Sequence, residues 1–98
     1  MDYASLLTSA MNKPVVRERG IGCCRVYVSV SDANHAKGIA KVAKKLNLIW
    51  QKKSHYGASN ALYIGYDNCD GMALARGTAV VETLKAAGID CYRDEQGD

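Results

Sequence analysis

Residues 24–46, CRVYVSVSDANHAKGIAKVAKKL, change their hydrophobic period once, and that change decides the fold. From Cys24 to Ser31 the period is two: Cys24, Val26, Val28 and Val30 alternate with Arg25, Tyr27, Ser29 and Ser31. Successive side chains of a strand point to opposite faces, so one face is aliphatic and the other polar with an aromatic in it. After Asp32 the apolar residues recur at helical spacing, with Ala36, Ile39, Ala40, Ala43 and Leu46 on one side. Ser31 and Asp32 are N-cap residue types, and Asn47 suits a left-handed C-terminal cap. A strand running into an amphipathic helix is the first half of a βαβ unit.

Toward the C-terminus, Leu48 to His55 reads as an extended strand whose lysines suit a sheet edge. Gly57 to Asn60 is turn material. Ala61 to Asp67, ALYIGYD, is a second alternating strand, with Leu62, Ile64 and Tyr66 expected on one face and Tyr63 and Gly65 on the other. Asp67 to Gly71 is a turn that caps a helix over about 72–87, with Ala73, Gly77, Val80, Val81, Leu84 and Ala87 on one side. A mid-helix glycine costs about 1 kcal/mol relative to alanine, so Gly77 is expected to permit close approach to the sheet. Gly88 is a C-terminal cap, 89–93 a last short strand, and 94–98 a frayed acidic tail.

Toward the N-terminus, 14–22 is a connector with some edge-strand character, in which Arg17, Glu18 and Arg19 are solvated and Gly20 and Gly22 allow a bend. Residues 2–12 carry an apolar stripe at Tyr3, Leu6, Leu7, Ala10 and Met11, with Asp2 as N-cap and Pro14 as stop. So short a helix is marginal alone and must dock on something. The order after the connector is β-α-β-β-α-β. It predicts an α+β ferredoxin-like sandwich: a four-stranded antiparallel sheet with two helices on one face, plus an extra N-terminal helix. The organisation expected is an N-terminal helix and connector over 1–21 and the βαββαβ domain over 22–98.

With 98 residues and 48% hydrophobic content, the chain is expected to be one ordered domain. No run of 18 apolar residues suggests a membrane span, and the N-terminal residues lack the basic and apolar pattern of a leader, so a cytoplasmic location is expected. Cys23, Cys24, Cys69 and Cys91 lack the paired spacing of metal ligands, and His35 and His55 sit at no ligand distance from them in sequence. Reduced thiols without a metal follow from that spacing. Asp67-Asn68-Cys69-Asp70-Gly71 fails as a calcium loop, because its third position is Cys69 and its twelfth Thr78. No phosphate-binding glycine motif is present, and no nucleophile has a neighbouring base. The expectation is a protein without catalytic residues or cofactors.

What remains is the sheet face away from the helices. Arg25, Tyr27, Tyr63 and Tyr92, with Lys52 and Lys53, are the candidate partner-binding residues. Lys37, Lys41, Lys44 and Lys45 form a basic patch on the first helix of the domain. Tyrosines on central strands beside basic groups are the layout by which RNA-recognition domains stack bases, although Ser59 to Tyr66 departs from their strand motif. The N-terminal helix, or a second copy in a homodimer, is a candidate cover for the tyrosines. The net charge of +3 tolerates anionic partners without demanding them. A small non-enzymatic binding module acting by protein–protein contact is the first expectation. An accessory protein of phages or mobile elements that inhibits a host defence complex would fit it. The alternative is single-stranded nucleic-acid binding through the tyrosine face and the basic helix, without a membrane in either case.

Overall fold

In the computed structural model, residues 1–19, 24–53 and 59–97 are described, and they form an α+β fold with three helices and one four-stranded antiparallel sheet. The elements are α1 (Tyr3–Asn12), β1 (Cys24–Val30), α2 (Ala33–Lys45), β2 (Ile49–Lys53), β3 (Ser59–Asp67), α3 (Met72–Ala86) and β4 (Cys91–Gly97). The strands lie in the order β2-β3-β1-β4, so the first and third are central. The bend at Gly20 and Gly22, the Cys23 thiol and the hairpin tip with His55 and Gly57 lie outside the described residues.

The helix boundaries follow from local chemistry. Asp2 accepts a hydrogen bond from the Ser5 N–H (3.1 Å), and Asp32 accepts from Asn34 and His35, which satisfies otherwise orphaned donors. Asn47 ends α2 at φ 59°, and the Leu48 N–H turns back to the Ala43 carbonyl at 2.8 Å. Gly88 ends α3 the same way at φ 84°, with Ile89 N–H donating to Leu84 O at 3.0 Å. Leu46, expected on the buried face of α2, is exposed, because the chain leaves the helix there.

One core cluster joins both layers. Val28, Val30 and Leu62 from the sheet meet Ile39 and Ala43 of α2, Val80 and Leu84 of α3, and Leu7 and Ala10 of α1. The α1 stripe packs on α2 and α3, not on a strand. Tyr3 lies across Gly38, and its Oη is 2.8 Å from His35 Nδ1. Arg76 donates to the carbonyls of Ala10 (2.8 Å) and Lys13, holding the C-terminal end of α1. A Cβ at Gly77 would sit 2.9 Å from Val26 Cγ1, so the glycine does permit the close approach of α3 to β1.

Three further expectations are corrected. The alternation of β3 breaks at a bulge: Gly65 pairs with Val26 and Tyr63 with Tyr27, leaving Ile64 as an extra residue. Beyond it the faces exchange. Gly65 now points at Ala73 of α3, Asp67 turns under the start of α3, and Tyr66 goes to the opposite face from the one the period of two assigns.

The second correction concerns the acidic tail. Residues 94–97 continue β4, pairing with β1 from Cys24↔Gly97 to Val30↔Cys91. The acidic run is carried within the strand, where Arg93 and Glu95 form an ion pair at 2.7 Å. Third, Glu18 is not simply solvated. It accepts from Arg93 Nη1 (2.8 Å) and Thr78 Oγ1 (2.5 Å), and its N–H donates to Gly71 O, which ties the connector to α3 and β4. The connector forms no strand over 13–19.

Candidate functional site

The face of the sheet away from the helices is built from three rows of cross-strand neighbours. In one row Ile49, Tyr63, Tyr27 and Asp94 stand side by side across β2, β3, β1 and β4. Above it run Gln51, Ala61, Ser29 and Tyr92, and below it Tyr66, Arg25 and Gln96. The bulge creates the third row, because without it Tyr66 would lie under the helices.

At the centre, the rings of Tyr27 and Tyr63 are 5.3 Å apart and tilted by 57°, and together with Ala61 they form a small second cluster. Such a pair contributes about 0.5–1.5 kcal/mol beyond its buried area. Tyr27 is only 4% exposed, so it supports the surface more than it offers one. The exposed side chains are its neighbours: Ile49 (56%), Tyr66 (44%) and Tyr92 (54%). Arg25 and Asp94 are the charged members of these rows, and their signs offset. Among the described elements no helix packs on this face; α1 lies in the helix layer instead.

The expected site residues therefore separate. Arg25, Tyr27, Tyr63 and Tyr92 share the outer face. Lys52 does not: it lies on the helix side, where it lines a groove with Lys37, Trp50 and Asn60. The backbone of Lys53 pairs with Ser59 at one end of the sheet. Lys37, Lys41 and Lys44 line an adjoining groove with Leu48 and Trp50, whereas Lys45 is exposed in the last turn of α2. The tyrosine face and the basic helix are thus on opposite sides of the sheet, not parts of one surface.

Ile49, Tyr66 and Trp50 escaped the sequence reading. Tyr66 was hidden by the bulge, for which an isolated glycine inside a strand, Gly65, is the available signal. Trp50 carries no signal from a single strand, because the groove it lines needs α2 beside β2.

The remaining chemistry-bearing groups are Asp67, Glu18 and the cysteines. Asp67 is fully buried and accepts from the N–H groups of Gly71 and Leu74, both at 3.0 Å. Burial opposes its charge, but the N–H groups of Leu74, Gly71, Ala73 and Cys69 outweigh this and hold its carboxyl below the usual range. Arg93 and then Thr78, by hydrogen bonding, do the same for Glu18. Burial pushes the Cys91 thiol up, and it donates to Val81 O at 3.7 Å. Cys24 is half-buried and Cys69 exposed. Among the described residues no three His, Cys, Asp or Glu side chains are grouped to hold a metal ion, and no helix is long and apolar enough to cross a membrane. Comparison with known proteins finds no matching family model, no similar curated protein and no similar solved structure.

Proposed function

We propose that the chain is a non-enzymatic binding module that acts by protein–protein contact through the outer face of its sheet. The observation that carries this reading is the exposed Ile49, Tyr66 and Tyr92 around the Tyr27–Tyr63 pair, of which Tyr27 is buried and Tyr63 half-buried. Protein interfaces are enriched in aromatic residues and arginine and depleted of charge at their centres, which matches this composition. Tyrosine also loses little conformational entropy on docking, since it has few rotatable bonds. A molecule measuring 34 × 31 × 22 Å can present the roughly 800 Å² per partner of an ordinary interface on its broad side. The offset of Arg25 by Asp94 favours a protein occupant over a polyanion. The strand order supports the ferredoxin-like βαββαβ plan as the scaffold, with α1 added to its helix layer.

The test compares two double variants in affinity capture from lysate. A protein held by the wild-type chain and by Lys41→Glu/Lys44→Glu, but released by Tyr66→Glu/Tyr92→Glu, is the expected result. Self-association in light scattering that the same tyrosine pair abolishes would identify the partner as a second copy. Recovery of nucleic acid alone, or of a protein indifferent to the tyrosine pair, would overturn the reading.

A further inference from the structure

We propose that the groove between α2 and β2, on the side of the sheet opposite the tyrosine rows, is a separate site for single-stranded nucleic acid. It consists of two adjoining hollows of about 490 and 450 Å³ that share Lys37, Ala40 and Trp50. Lys41 and Lys44 flank the first hollow, and Lys52 and Asn60 the second. No carboxylate lines either one, and none of the four lysines is ion-paired with a described acidic residue. Four uncompensated positive charges around one concave surface focus field into it.

The second observation is what lies at the centre. Trp50 packs partly against the core, opposite Leu62 in the sheet, and the rest of its indole forms the wall common to both hollows. A solvated lysine face needs no aromatic between its charges. A site for a strand of bases does, because it combines a positive groove along the backbone with a ring on which a base stacks. Lys37, Lys41 and Lys44 recur at i, i+4 and i+7 on α2, a rise of about 10 Å. At roughly 3.4 Å per phosphate in a stacked strand, that length spans about three phosphates. Duplex DNA fits less well, since its bases are already stacked on each other and cannot reach the indole.

The chain contains one tryptophan, so its fluorescence reports on this groove alone. Titrating an oligothymidine of about twelve nucleotides into the full chain is expected to quench Trp50. For three or four phosphate contacts, affinity should fall roughly 20- to 50-fold between 50 and 200 mM salt. Lys41→Glu/Lys44→Glu, at exposed helix positions, should weaken binding at least tenfold with an unchanged melting temperature. Tyr66→Glu/Tyr92→Glu should leave the quench intact, which keeps this result independent of the outer face. No quench at 50 mM salt, or a quench indifferent to the lysine pair, would overturn the site. A mononucleotide binding as tightly as the oligonucleotide, or polyglutamate displacing it equally well, would overturn a strand as its occupant.

Discussion

Gly71 and Asp67 show how much of this fold hangs on single positions. Gly71 has φ 76°, a region that costs other residues about 1–2 kcal/mol, and a Cβ there would land on the carbonyl oxygen of Glu18. Gly71→Ala should therefore lower stability by about 2–4 kcal/mol in urea unfolding and release the connector from α3. A loss under 1 kcal/mol would mean that the connector is not held there. Asp67 makes a pH prediction. Its folded carboxyl titrates below its unfolded value, so its contribution is fully present above about pH 4 and disappears as the pH falls through the folded value. Thermal melts of the wild type should drop on acidification below pH 4. Asp67→Asn, less stable at pH 7, should show a shallower drop, with Glu18, Asp2 and Asp32 supplying the remainder. An equal drop in both proteins would remove Asp67 from the account.

At the scale of elements, β3 and β4 depart most from the expected pattern. Strict alternation assigns every side chain of a strand to a face, but one extra residue reverses everything beyond it. Here that reversal sends Tyr66 out and brings Asp67 in to cap α3. β4 departs by being long. A run of Asp94, Glu95 and Gln96 reads as solvated tail, yet on an edge strand charged residues are ordinary and discourage further pairing. Truncation after Asp94 removes the Arg93–Glu95 ion pair and the partners of Cys24 to Val26. It should cost about 1–3 kcal/mol and speed amide exchange in the first half of β1, where removal of a frayed tail would change stability by less than about 0.5 kcal/mol.

For the whole molecule, the decisive placement is that of α1. Its Leu7 and Ala10 are fully buried in the same cluster as β1, α2 and α3. Leu7→Ala should cost about 3 kcal/mol and lower the midpoint of a single unfolding transition followed by both far- and near-ultraviolet circular dichroism. An early loss of some helical signal, followed by an unchanged main transition, would show α1 to be an appendage. With α1 in the helix layer, the outer sheet face and the α2–β2 groove stand on opposite sides of the sheet. Variants on the two surfaces should then combine additively in both stability and binding.

The order of strands and helices was legible in the sequence because period, caps and turns are local: Asp2, Asp32, Asn47, Gly77 and Gly88 act much as their residue types suggest. So was the sharing of one face by Arg25, Tyr27 and Tyr63, which alternation alone supplies on either side of the bulge. Only the tertiary structure decided what covers that face and what joins it. Lys52 parts company with the tyrosines because the register of β2 on β3 sets Trp50 opposite Leu62 and turns Lys52 to the α2 side. Trp50 meets the α2 lysines because a crossover helix returns over β2. These depend on register and on packing between distant segments, and no local pattern encodes either.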